Sequence, residues 1–181
     1  MKAAPNPQPP LRLLHVGEHG ASLDAIYRRY GRYVAAVILR LGGRSTELED
    51  LVQDVFVEAA RGIGKLREED AIRGWLATIA VRTAGRRLRL RRARRWLGLD
   101  AAVDYEQLID PAASPVDKLM VATVYRVLDE VPVADRLAFS LHQIQGEKLE
   151  DVARLCGCSC ATAKRRIART QQRIEEKMSD G

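Results

Sequence analysis

From Leu23 to Met178 the apolar residues recur at three- and four-residue spacing. Glycines and prolines break the pattern into segments, and no segment sustains an alternation of apolar and polar residues. That period belongs to helices buried on one face, because successive strand residues point to opposite sides of a sheet. The expected fold class is therefore all-α.

The first stripe comprises Leu23, Ile26, Tyr27, Tyr30, Tyr33, Val34, Val37, Ile38 and Leu41. Ser22 suits its N-cap, and Gly42-Gly43 stop it. Thr46 and Glu49 have capping-box spacing ahead of a second stripe, Leu48, Leu51, Val52, Val55, Phe56 and Ala59. The other face of that helix is acidic, with Glu47, Glu49, Asp50, Asp54 and Glu58, and Gly62 and Gly64 end it. A third helix starts near Ala71, and its apolar face is Ile72, Trp75, Leu76, Ile79 and Ala80. It runs on into Arg82–Arg95, a stretch rich in arginine and free of acids.

The formal charge of +6 comes from 30 basic and 24 acidic residues, so their placement matters more than their sum. Residues 97–116 hold Asp100, Asp104, Glu106 and Asp110 with no Lys or Arg, and also Pro111 and Pro115. They read as an acidic flexible linker between two small helical domains. Residues 1–21 carry Pro5, Pro7, Pro9 and Pro10 and read as a disordered tail.

Several classes drop out. No apolar run reaches the ~18–20 residues that cross a bilayer, so no direct membrane insertion is expected. The N-terminus has no signal-peptide h-region. Glycine-rich phosphate loops and the H-E-x-x-H and G-x-S-x-G signatures are absent, and no cofactor, catalytic residue or small-molecule substrate is expected. Cys156, Cys158 and Cys160 lie too close together for a disulfide framework; the first two read as small core residues and Cys160 as exposed, with metal or redox sensing as the alternative. The expectation is a cytoplasmic protein with affinity for polyanions.

Past the linker, Ser114-Pro115 suits an N-cap with Pro at the first helical position. Leu119, Val124, Val127 and Leu128 form the next stripe, and Pro132 opens a helix that Gly146 breaks. Leu149 to Cys156 then reads as a short helix, Gly157-Cys158-Ser159 as a turn, and Cys160 to about Met178 as a long basic helix. Val152, Cys156, Cys158, Ala163 and Ile167 would close a small core. This is the helix-turn-helix pattern. Its second helix offers Thr162, Lys164, Arg165, Arg166, Arg169 and Arg173, suited to guanine edges and phosphates, and Ser159 can cap it or meet a phosphate. A tri-helical protein-binding domain with a solvated basic face is the alternative from spacing alone.

Taken in order, YRRYGRYV, EDLVQDVFVEAA, RGWLATIAVRTAGRRLR, LDEVP and LEDVARLCGCSCATAKRRIAR resemble an extracytoplasmic-function sigma factor of the sigma-70 family. The resemblance implies a sigma-two domain at residues 22–96 and a sigma-four domain at 117–178. It implies a factor that binds core RNA polymerase, through the β′ clamp helices and the β flap, and directs it to promoter DNA. An anti-sigma factor is a further implied partner.

By the same resemblance, Asp50, Leu51, Gln53 and Asp54 would dock on the polymerase. Arg67, Glu68, Glu69, Asp70 and Ala71 match the loop that captures a flipped minus-ten base, with Trp75, Arg82, Arg86 and Arg89 beside the single strand. Ser159, Lys164, Arg165, Arg166 and Arg169 match positions at the minus-thirty-five duplex, and Arg136 and Thr162 would position phosphates. The family often has Asn and Asp where this chain has Arg82 and Arg86. The rival reading is a helix-turn-helix regulator acting without polymerase, which leaves the acidic face and the arginine helix without a role.

Overall fold

The computed structural model describes residues 23–42, 45–63, 71–99 and 112–179. The expected tail, the Ser22 cap, the loop at 64–70 and most of the acidic linker lie outside the described residues. The described part is helical: α1 (Leu23–Arg40), α2 (Leu48–Gly62), α3 (Ile72–Trp96), α4 (Pro115–Glu130), α5 (Val133–Phe139), α6 (Leu149–Cys156) and α7 (Cys160–Ser179). A 3-10 turn, Ser45–Glu47, precedes α2, and a π turn, Ser140–Ile144, follows α5.

Helices α1 to α3 close on one another through Val34, Ile38, Leu41, Val55 and Leu76, none of which is exposed. These are the predicted stripes, and their burial supplies most of the helical stability. Tyr27 departs from the reading: it lies at the rim, its ring edge-on to Phe56 at 4.9 Å between centroids. Trp75 lies half-buried across Gly62, where a β-carbon would come within 2.9 Å of its ring. The last turn of α2 thus needs glycine for packing.

The capping box does not form. Glu47 occupies the N-cap of α2 without a side-chain cap bond, because its carboxylate is taken by Arg87 and Arg91 of α3. A charge-assisted pair with two guanidiniums displaces a cap bond to backbone N–H groups.

In the second half, Ser114 caps α4 by accepting from the Asp117 amide at 3.1 Å, with Pro115 in the first turn. This helix begins inside the expected linker. Leu119, read as core, is exposed with Val116 and Met120, since α4 is buried only from Ala122 onward. Helices α6 and α7 meet at a Schellman turn: Gly157 has φ +62, its amide donates to Arg154, and the Cys158 amide donates to Ala153.

The two helical groups are packed together, a relationship that a flexible tether does not anticipate. A β-carbon on Gly85 of α3 would stand 3.0 Å from Leu137 of α5. Arg92 donates to the Val131 carbonyl at 2.7 Å, and Arg95 pairs with Asp129 at 2.9 Å. Their buried residues form one continuous apolar cluster.

Candidate nucleic-acid and protein-binding surfaces

The outer face of α2 presents Asp50, Gln53 and Asp54 to solvent. Neither acid makes an ion pair among the described residues. Leu51 is a correction to the predicted docking set: it faces the core at 5% exposure, with the rest of its apolar stripe. Glu47, counted with the acidic face, turns inward. Partial burial alone would raise its pKa, but the hydrogen bonds and charges of Arg87 and Arg91 prevail and hold the carboxyl at about 2.

Seven arginines of α3 fall into three sets. Arg82, Arg86 and Arg89 are exposed, with Arg86 reaching Glu58 at 3.3 Å. Arg87 and Arg91 are spent on Glu47, and Arg91 also donates to the Gly42 carbonyl at 2.9 Å. Arg92 and Arg95 hold the second helical group. The basic run is therefore only partly a free surface, and a charge count along the sequence cannot separate these sets. Trp75, predicted beside the DNA strand, packs against Gly62 of α2, while Trp96 at the end of the basic helix, outside the predicted set, is 87% exposed. Ala71 is exposed just ahead of α3; Arg67, Glu68, Glu69 and Asp70 lie outside the described residues.

Helix α7 carries the second basic surface. Ser159 caps it, accepting from the Thr162 amide at 3.2 Å, and its hydroxyl donates to the Thr162 hydroxyl at 3.0 Å. Lys164 and Arg165 are exposed, and Arg166 is half-buried. Arg169 is not a loose side chain: its Nη2 donates to Asp135 Oδ1 at 3.1 Å, and its Nε stands 2.8 Å from Oδ2. Arg136 is a correction, because it is buried and paired with Asp129 rather than turned toward a phosphate. A guanidinium on the inner face of a short helix takes the nearest carboxylate.

Cys156 and Cys158 pack against the core and Cys160 is exposed, as their spacing implied. Burial, helped by Cys158, pushes the Cys156 thiol up to about 11. No metal-binding cluster of His, Cys, Asp and Glu occurs among the described residues, nor a helix long and apolar enough to cross a membrane.

The chain matches two family models in order, Sigma-70 region 2 over residues 26–95 and Sigma-70, region 4 over residues 122–174. It is 26% identical to the RNA polymerase sigma-H factor of Pseudomonas aeruginosa, over 86% of this chain and 85% of that protein. It is 29% identical to the ECF RNA polymerase sigma-E factor of Escherichia coli, over 83% of each. Among solved structures, it is similar to the sigma factor RpoE in complex with the anti-sigma factor NepR from Bartonella quintana. That match has a TM-score of 0.61 and 22% identity, and covers 86% of this chain and 96% of the other. It is also similar to CnrH in complex with the cytosolic domain of CnrY, at a TM-score of 0.57 and 20% identity, covering 87% and 88%.

Proposed function

The chain belongs to the extracytoplasmic-function group of the sigma-70 family, RNA polymerase sigma factors that start transcription, and from that premise we propose how its surfaces divide the work. The exposed acids Asp50 and Asp54, with Gln53, dock on core RNA polymerase. The loop ending at Ala71 and the exposed Arg82, Arg86 and Arg89 take the minus-ten strand. Helix α7 enters the major groove of the minus-thirty-five element, with Lys164, Arg165 and Arg169 toward the DNA and Ser159 and Thr162 near the backbone. The chain contributes binding and positioning, and the bond-forming chemistry is the polymerase's. It works in the cytoplasm.

One observation carries this reading: two exposed basic surfaces, on α3 and α7, lie on one chain with an exposed acidic helix face whose Asp50 and Asp54 have no ion-pair partner among the described residues. A duplex-binding regulator needs only the α7 surface. The acidic face fits a basic protein partner, which such a regulator does not require.

The packed arrangement sets a condition on promoter binding. Elements about 25 base pairs apart lie roughly 85 Å apart along B-DNA at ~3.4 Å per pair. Helix groups in contact through Arg92, Arg95 and Leu137 cannot reach both, so they separate when the promoter is engaged. The packed form is the one suited to an anti-sigma partner covering the polymerase-binding faces. Run-off transcription with core polymerase on a genomic promoter library tests the proposal. Discrete initiation sites dependent on the chain are expected. Duplex binding without polymerase, and no promoter-specific transcripts with it, would overturn it.

A further inference from the structure

Asp135 sits in the first turn of α5, 3% exposed, and both its oxygens are directed at arginines of α7. Arg169 Nη2 donates to Oδ1, its Nε stands 2.8 Å from Oδ2 without the alignment of a hydrogen bond, and Arg166 Nε is 3.8 Å from Oδ1. Arg136, its neighbour in sequence, points away to Asp129. The Arg169 side chain is 57% exposed despite being held.

That combination is a poor device for stability. Burying a carboxylate carries a large desolvation penalty, and a partner more than half in water returns little of it. Interaction between α5 and α7 does not depend on it, since Leu137, Ala163, Ile167 and Ile174 already bury apolar surface there. What the pair does achieve is orientation. A guanidinium has five N–H donors in one plane. Asp135 holds Arg169 by one hydrogen bond from Nη2 and the ion pair with Nε beside it, which leaves the Nη1 and outer Nη2 hydrogens as a fork whose direction the pair restricts. Guanine offers O6 and N7 to such a fork in the major groove.

We propose that Asp135 is a positioning residue for promoter recognition: it holds Arg169 by one edge so that the other edge reads a guanine in the minus-thirty-five duplex. Arg166 is drawn toward the same carboxylate and braces it. This rests on α7 being the recognition helix. A flexible arginine loses rotamer freedom when it binds, and one already held by a hydrogen bond and an ion pair loses less. The consequence is discrimination between bases more than gross affinity.

The test uses holoenzyme assembled from core polymerase and each variant, on promoters carrying every base at each minus-thirty-five position. Asp135→Asn keeps the shape and removes the charge. It is expected to lower discrimination at a single base pair about tenfold, within the range of one bidentate contact. Arg169→Ala should lower discrimination at the same pair, and the double variant should be no worse than Arg169→Ala alone. Arg169→Lys keeps the charge and the exposed surface but cannot present a fork, so it should lose discrimination while holding most of its affinity, whatever Asp135→Asn does to folding. A uniform loss across all sequences, or an Asp135→Asn effect that persists undiminished without Arg169, would make the pair a phosphate clamp or a structural staple and overturn the proposal. If Arg169→Ala changes nothing at any position, the recognition role of α7 falls as well.

Discussion

Gly42 and Arg136 compete for one space: the chain turns at Gly42 with φ +93, and a β-carbon there would overlap the Arg136 guanidinium. The turn after α1 thus forms the floor under a buried arginine from the other helical group. Gly42→Ala should destabilise the protein twice over. The left-handed backbone costs about 1–2 kcal/mol for a residue with a β-carbon, and displacing Arg136 adds to it. Arg136→Met removes the overlap, so the double variant should melt higher than the sum of the two single losses allows. Strict additivity in thermal melts would show that the two residues do not meet.

Asp129 joins the same region from α4, accepting from Arg136 inside and Arg95 at the surface. The two bonds should differ in worth. Arg95→Ala removes a partly exposed pair and should cost under about 1 kcal/mol. Asp129→Asn leaves the Arg136 charge buried without its counter-ion and should cost about 3–5 kcal/mol. Urea unfolding of both variants checks the ordering; equal losses would contradict the buried placement of Arg136.

Glu47 should make stability depend on acid. Its carboxyl is held at about 2 in the folded protein, against an ordinary value of 4.5. A depressed folded pKa gives stability that is complete above the unfolded value and is lost as pH falls through the folded one. Glu47→Gln should therefore be less stable than the parent at pH 7 by about 1–2 kcal/mol after solvent screening. That gap should narrow between about pH 4.5 and pH 2. Melting curves across this window provide the measurement, and a gap independent of pH would refute the ion-paired state.

Much of this architecture is legible in the sequence because burial follows the helical period. The stripes of α1 to α3, the Ser114 cap and the turn at Gly157 are local features, each set by residues within a few positions of one another. What could not be read is pairwise and long-range. Thr46 and Glu49 carry a valid cap signal, but Arg87 and Arg91, some forty residues on, capture Glu47 and reshape the helix start. Arg136 and Arg165 look alike in sequence, yet one is buried on Asp129 and the other faces solvent. Leu51 lies among docking residues in the chain and faces inward on the helix, as its own stripe required.

The cysteines should separate by reactivity. Thiolate is the nucleophile, and burial holds Cys156 at about 11, while Cys160 is exposed at the start of α7. Brief iodoacetamide treatment near pH 8 should label Cys160 first and leave Cys156 largely unmodified until the protein unfolds. Peptide mass spectrometry at timed intervals reads this directly. Early labelling of Cys156 would mean that the α6–α7 core opens readily in the folded protein.

Asp50 offers the sharpest test of the protein-binding face. It is exposed in the first turn of α2, where an acid favours the helix dipole. Asp50→Arg should therefore cost the fold only about 0.5–1 kcal/mol, and circular dichroism should be unchanged. Association with core polymerase should fall by at least about tenfold, because reversing a charge in a complementary interface places like charges together. Asp54→Arg, one turn further along, should weaken association without the dipole cost. Asp50→Asn should show a smaller loss, and one that shrinks as salt screens the parent interaction. Fluorescence anisotropy of labelled protein titrated with core enzyme, at low and high salt, measures all three. Full-strength binding by Asp50→Arg and Asp54→Arg together would remove this face from the interface and leave polymerase docking to another surface of the molecule.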